Sequence, residues 1–170
     1  METSLLAQNK GIYDLSEEHL SYFFSNRQND PLGNTPDDKN YVLGNYHVIG
    51  GNDHLAAIYL STWSGMTTEA DVPFPTDSSH QNDLTVQIPE SKAYNSAAYL
   101  KNASVSQYSE ERMKEMLLND HAVSIMLYMK ESYANPDTAA YCYPVGKSNS
   151  TVINHIVTVV GWDDTYSKYN

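Results

Sequence analysis

The residue types best suited to chemistry lie near the C-terminus, in the segment NHIVTVVGWDD that begins at Asn154. His155 is the only ionisable residue between Val152 and Gly161, and the Ile, Val and Thr residues around it predict a strand. An imidazole on a rigid strand can act as a general base that activates a nucleophile. A histidine among apolar residues can also be a hydrogen-bonded member of a core. The pattern alone leaves both roles open.

A nucleophile that could work with such a base is missing from the obvious places. The chain's single cysteine, Cys142, lies in the loop segment YCYP with no helix N-terminus beside it to favour a thiolate, so we predict no chemistry there. One cysteine also excludes an internal disulfide and a multi-cysteine zinc site. The remaining histidines lack the spacing typical of metal ligands, so no metal or other cofactor is expected: His19, His47, His54, His80 and His121.

Length, composition and charge limit the classes of protein to which this chain can belong. At 170 residues, of which 41% are hydrophobic, the chain is long enough for one globular domain with its own core. A formal net charge of -11 repels phosphate backbones, so we expect no nucleic-acid partner. No apolar run approaches the roughly 18 residues that a membrane span requires. The sequence does not predict an oligomeric state.

Helical spacing of apolar residues recurs in three segments of the chain. It predicts helices in YDLSEEHLSYFF, with Ser16 as the N-cap, in DHLAAIYLSTWSG, and in SEERMKEMLLN, with Ser109 as the N-cap. The segment METSLLAQNK resembles the last turns of a helix, and no capping residue precedes Met1. We therefore expect a longer helix there and a chain that is an incomplete piece of a domain.

Strands are predicted mainly in the second part of the chain. The segments Ala97–Ala103, AVSIMLYM and Val152–Val160 are the candidates, and the stretch from Ser25 to Asn45 predicts a long surface loop. Helices that precede strands indicate an α+β fold with two segregated layers or lobes.

Five segments, in order, resemble those of the papain-like cysteine peptidases: YDLSEEHLSYF, Gly50–Gly51, TEADVPFP, HAVSIMLYM and the histidine strand. Together they are far more specific than any one of them. The resemblance implies a partial papain-like two-lobe α+β fold, in which residues 1–170 form a single partial peptidase domain. The late helical lobe would cover about residues 1–75, and most of the β lobe about residues 76–170.

The resemblance also implies roles for particular residues. His155 would be the catalytic base and then acid, which favours this role over that of a core histidine. Gly50 and Gly51 would pair with the substrate backbone as an added strand. Met126 and Ile156 would line the pocket for the side chain second from the scissile bond, and the backbone carbonyl of Asn154 would face the cleft. No metal site is implied.

Two parts of the family's site have no counterpart in this sequence: the Gly-x-Cys-Trp segment of the nucleophile and the Lys-Asn-Ser-Trp-Gly segment of the orienting asparagine. We therefore expect an incomplete cysteine peptidase that is inactive alone and whose parent cleaves peptide or protein substrates. The alternative is a non-catalytic peptide-binding or structural cell-surface module derived from the same fold. The likeness to prokaryotic members implies a secreted or cell-surface location.

Overall fold

The computed structural model describes residues 1–26, 45–48, 50–76, 87–143 and 153–166. The chain divides into two compact units, a first unit Met1–Gln107 and a second unit Tyr108–Asn170. The expected lobes, about 1–75 and 76–170, stay a prediction. Within the described residues, no helix is long and apolar enough to cross a membrane.

The first unit is built from helices and irregular segments. Its helices are α1 (Glu2–Ala7), α2 (Glu17–Asn26) and α3 (Asp53–Tyr59), followed by a π-helical turn over Leu60–Ser64 and a 3₁₀ turn over Glu90–Lys92. Its core contains one cluster of buried hydrophobic residues: Leu15, Tyr22, Phe23, Tyr59, Leu60, Met66, Ala93 and Ala98. The cluster includes residues from the helices and from the irregular segments between them, so the core holds both in place.

Side-chain caps start two of these helices. The Ser16 hydroxyl accepts a hydrogen bond from the His19 amide at 2.9 Å, which confirms the predicted cap of α2. The Asn52 carboxamide oxygen accepts one from the Leu55 amide at 2.9 Å and begins α3. Each cap satisfies an amide that the helix itself leaves without a partner, so the start of each helix is well defined.

The helix predicted in DHLAAIYLSTWSG changes character before its end. After α3 the backbone forms the π-helical turn, in which Trp63 adopts a left-handed conformation at φ 63°. Gly65 follows at φ 51°, and a Cβ there would lie 2.3 Å from the Ser96 hydroxyl oxygen. Only glycine fits this close approach, so the end predicted at Gly65 is confirmed while the regular helix stops earlier.

The strand predicted at Ala97–Ala103 is wrong. Only an isolated bridge forms there, between Met66 and Ala98, with a 3.0 Å hydrogen bond from the Met66 amide to the Ala98 carbonyl. Residues 101–108 are all exposed and have no neighbouring strand within the part of the chain that the structure describes. Without a partner strand, β propensity alone does not form a ladder.

The second unit contains one helix and two small antiparallel sheets. Helix α4 (Glu110–Asp120) begins at the predicted cap, where the Ser109 hydroxyl accepts from the Arg112 amide at 3.1 Å. Strand β1 (Val123–Leu127) pairs with β4 (His155–Val159), and β2 (Ala134–Asn135) pairs with β3 (Ala140–Tyr141).

These strands confirm two of the predicted strands, although each observed strand is shorter than predicted. The segment AVSIMLYM supplies β1, and the strand expected at Val152–Val160 is observed as β4, although Val152 lies outside the described residues. The predicted surface loop cannot be compared in the same way. Its first two residues belong to α2, and residues 27–44 lie outside the described ones.

Candidate functional site

His155 is the first residue of β4, directly opposite Leu127 of β1. Its side chain is exposed, although the sequence around it is typical of a buried strand. Among the described residues, no side chain forms a hydrogen bond or ion pair with its ring. An exposed imidazole without such partners is accessible as a base, and its catalytic role stays a prediction.

Asn154 fixes the backbone immediately before this histidine. Its carboxamide oxygen accepts a 2.7 Å hydrogen bond from the Met129 amide, and its carboxamide nitrogen donates a 3.0 Å bond to the Met129 carbonyl. The Asn154 amide also donates to the Leu127 carbonyl at 3.2 Å. The side chain thus imitates a peptide group and extends the β1–β4 ladder beyond His155. Sequence reasoning considered only the backbone carbonyl of Asn154, and that role stays a prediction.

Met126 and Ile156, the predicted pocket residues, are directly opposite each other in the β1–β4 ladder. Met126 is 37% exposed and Ile156 is half-buried. Strand side chains alternate between faces, so this apolar pair lies on the face opposite to that of His155 and Leu127. The structure brings the two residues together, and their role in substrate binding stays a prediction.

Gly50 and Gly51 belong to the first unit, between a turn at Asn45–Val48 and the Asn52 cap of α3. Both glycines are exposed, and a Cβ at either position would meet nothing within 4 Å. Gly50 adopts a φ of 70°, which side chains rarely tolerate. Their backbone groups are therefore open to an extended ligand, as the predicted strand pairing requires.

A buried polar cluster at Glu18 was missed by sequence reasoning. One carboxylate oxygen of Glu18 accepts from the Tyr46 hydroxyl at 2.6 Å, and the other lies 2.6 Å from Nε2 of His47. Burial, aided by the bond to Glu18, raises the pKa of Tyr46, so its hydroxyl stays protonated and donates. A signal was present, because Glu18 lies four residues before Tyr22 of α2, on the same face of the helix.

Among the described residues of the first unit, His19 is a fully buried histidine, and it was also missed. Its ring nitrogen Nε2 lies 2.9 Å from the Lys92 carbonyl oxygen, to which it donates, while Nδ1 has no hydrogen-bond partner. Burial lowers the pKa of His19, against the opposing effect of the Lys92 bond. A neutral imidazole with its proton on Nε2 fits this environment, which makes His19 a structural residue.

Cys142 and the two acidic residues of the GWDD motif show little sign of a site. The Cys142 side chain is exposed, just after β3. Asp163 accepts hydrogen bonds from the amide and hydroxyl of Thr165, and Asp164 binds Lys114 and the Trp162 ring nitrogen. Among the described residues, no group of His, Cys, Asp or Glu side chains could hold a metal ion.

Comparisons with known proteins bear on the family and the fold. Residues 40–169, more than half of the chain, match the family model described as papain family cysteine protease. The clostridial cysteine protease Cwp84 after propeptide cleavage superposes with a TM-score of 0.68 at 26% identity, over 99% of this chain and 37% of that one. A structure of the cysteine protease and lectin-like domains of Cwp84, a surface layer associated protein of Clostridium difficile, gives 0.64 and 27%, over 99% and 33%.

The chain therefore spans about a third of the solved structures that it matches. No curated protein matches the chain significantly. The similarity supports a papain-like α+β fold for these residues.

Proposed function

Because the chain belongs to the papain family of cysteine proteases, we propose that it forms part of a peptidase that cleaves peptide bonds through a thioester acyl-enzyme. The observation that carries this proposal is the exposed imidazole of His155 at the start of β4. The backbone before it is held by the paired hydrogen bonds between Asn154 and Met129. A base must be accessible and carried on a well-held backbone, and these two observations support His155 in that role.

In this proposal His155 moves protons at two steps. Its neutral ring removes the proton from a cysteine thiol, and the thiolate attacks the peptide carbonyl. The imidazolium then gives that proton to the leaving amine. In the second half, the neutral ring activates a water molecule, which hydrolyses the thioester.

The thiol and the orienting asparagine of a Cys-His-Asn site would come from segments outside these 170 residues. The family's motifs for both have no counterpart in the sequence, and Cys142 lies in an unrelated loop. We therefore propose that these residues alone catalyse no hydrolysis, since no acyl-enzyme forms without the nucleophile.

The substrate would be a peptide or protein, bound partly through its backbone. Gly50 and Gly51 offer exposed backbone groups for pairing with a peptide, and Met126 with Ile156 offers an apolar surface for a side chain. Since Cwp84 is described as a surface layer associated protein, we propose a secreted or cell-surface location for this protein as well.

The test is His155→Ala in the complete protein that contains this chain. The value of kcat for a fluorogenic peptide should fall by about 10⁴-fold, as for other members of a catalytic set that acts as a unit. The thermal unfolding midpoint should change little because the side chain is exposed. His54, an exposed histidine on α3, supplies the matched control, and His54→Ala should leave kcat unchanged. Retention of near-normal kcat in His155→Ala would refute the proposal.

The second candidate is a non-catalytic module that binds peptides on the same surfaces. It is favoured by one observation, that the only cysteine in the sequence is not in a nucleophile motif. Under this alternative the complete protein binds a peptide but does not cleave it, and a thiol-directed epoxide labels no residue other than Cys142. Measurable turnover that His155→Ala abolishes would exclude this alternative.

A further inference from the structure

A single buried carboxylate binds two consecutive side chains of the turn Asn45–Val48. Glu18 receives the Tyr46 hydroxyl on one oxygen and faces His47 Nε2 with the other, each at 2.6 Å. The side chains of Glu18 and His47 are only 5% and 6% exposed. A carboxylate in such a place is stable only while both oxygens have donors, so this arrangement strongly favours one conformation of the turn.

The turn is held in further ways. The Val48 amide donates to the Asn45 carbonyl at 3.2 Å, and the His47 amide donates to the Asn45 carboxamide oxygen at 2.9 Å. The Tyr46 ring packs edge-on against Tyr22 of α2 at 5.7 Å, and the His47 ring packs against Phe74 at 5.7 Å. Polar and aromatic contacts therefore tie this turn to α2 and to the segment that carries Phe74.

The tied turn ends two positions before the double glycine in the sequence. Gly50 follows His47 by three positions, and Gly51 is followed by Asn52, whose carboxamide caps α3. The glycines are exposed and touch nothing where a Cβ would be. A segment without side chains has many accessible conformations, so only its fixed ends can restrict it.

We propose that Glu18 is a positioning residue for peptide binding, which acts by holding Tyr46 and His47 so that Gly50 and Gly51 present their backbone groups to an extended peptide. The inference rests on the proposed function in one respect, namely that the two glycines bind the substrate backbone. A segment ordered before binding loses less conformational entropy when the peptide pairs with it. Release of the turn therefore weakens peptide binding more than it slows the chemical step.

The first measurement is amide hydrogen exchange of His47 and Val48 in the folded protein, because both amides donate to Asn45 and are protected while the turn is formed. Glu18→Gln removes the charge, and the amide nitrogen of the glutamine then lies against either the Tyr46 hydroxyl or His47 Nε2, both of which are donors. One hydrogen bond to the turn is lost, so exchange of these amides should become about tenfold faster. Glu17→Gln is the matched control, because Glu17 is the exposed neighbour of Glu18 on α2, and it should change nothing.

Substitutions at Tyr46 and His47 test the same hydrogen bonds if Glu18→Gln folds poorly. Tyr46→Phe removes one hydrogen bond while the ring stays packed, and it should speed exchange by a smaller factor. His47→Gln retains a donor near the position of Nε2 and should restore slow exchange relative to His47→Ala. If exchange is slow in His47→Gln but fast in His47→Ala, the hydrogen bond to Glu18 is what holds the turn.

The second measurement is steady-state cleavage of a peptide by the complete protein. Glu18→Gln should raise KM about tenfold and leave kcat within about twofold, whereas a general loss of folded protein lowers kcat at unchanged KM. Unchanged exchange of the His47 and Val48 amides in Glu18→Gln, or faster exchange with unchanged KM in an active protein, overturns the proposal. Faster exchange in a protein that neither cleaves nor binds peptides supports Glu18 as the residue that fixes the turn and refutes the proposed function instead.

Discussion

The two units bury their side chains very differently. The first unit encloses a cluster of aromatic and aliphatic residues together with polar residues that are fully buried, such as Ser16 and Thr67. Among the described residues of the second unit, only Leu117 and Val123 are buried hydrophobic residues. The first unit therefore has the packing of a stable core, whereas the second presents its strands largely at the surface.

The same contrast separates two histidines. His19 follows two glutamates in sequence, yet it is fully buried against Phe23 and bound to the Lys92 carbonyl. His155 lies among Ile and Val residues, yet it is exposed. The apolar character of sequence neighbours is thus a poor guide to the burial of a histidine in this protein, because burial depends on which elements pack over it.

The largest effect expected from this contrast is on stability. His19→Ala should lower the free energy of unfolding by about 3 kcal/mol, because it removes a buried hydrogen bond and leaves a cavity beside Phe23. His155→Ala should leave it nearly unchanged. Denaturant titration of both variants measures this difference. Equal losses in the free energy of unfolding would contradict the assignment of His19 as the buried, structural histidine.

A smaller effect is expected at Asn154. Asn154→Ala removes both hydrogen bonds to Met129 and should reduce kcat of the complete protein by about tenfold, while stability falls by about 1 kcal/mol. Asn119, an exposed residue near the end of α4, provides the control Asn119→Ala. If kcat of Asn154→Ala equals that of the control, the carboxamide does not help to place His155.

The third prediction concerns pH. Burial lowers the pKa of His19 below its ordinary value of 6.5, so on acidification the unfolded chain takes up this proton before the folded chain does. The contribution of His19 to stability is therefore constant above about pH 6.5 and decreases as the pH falls below it. Urea midpoints at pH 7.5 and 5.5 should differ more in the wild type than in His19→Gln. The same difference in both proteins would contradict the assignment.

The smallest expected effect is at Cys142. Its exposed side chain should react readily with a maleimide in the folded protein. Cys142→Ser should leave stability unchanged within about 0.5 kcal/mol, as for other surface substitutions, and should not alter peptide cleavage by the complete protein. Activity that disappears in this variant would show that the exposed thiol is the nucleophile after all.

Local features of the fold were predictable because local physics determines them. Ser16 and Ser109 cap the helices that they were predicted to cap, and the β-branched run around His155 forms a strand. The ordered set of motifs identified the papain family, which the family match confirms. Each of these signals depends on residues that are close in sequence or on a motif that can be read directly.

The features that could not be predicted depend on contacts between distant segments. Glu18 and His47 are far apart in sequence, and nothing near either residue specifies the other. The bridge between Met66 and Ala98 replaced a predicted strand because no further strand lies beside it in the described part of the chain. The exposure of His155 likewise depends on what covers β4, which spacing does not encode.

The side-chain pairing between Asn154 and Met129 has a consequence for the register of the sheet. A two-stranded ladder of five residue pairs has little to prevent slippage, and a shift by one residue would turn every side chain of β4 to the other face. The carboxamide can satisfy both the amide and the carbonyl of Met129 in one alignment only. Asn154 therefore acts as a register stop, and the residue before the histidine determines which face of the sheet the histidine occupies.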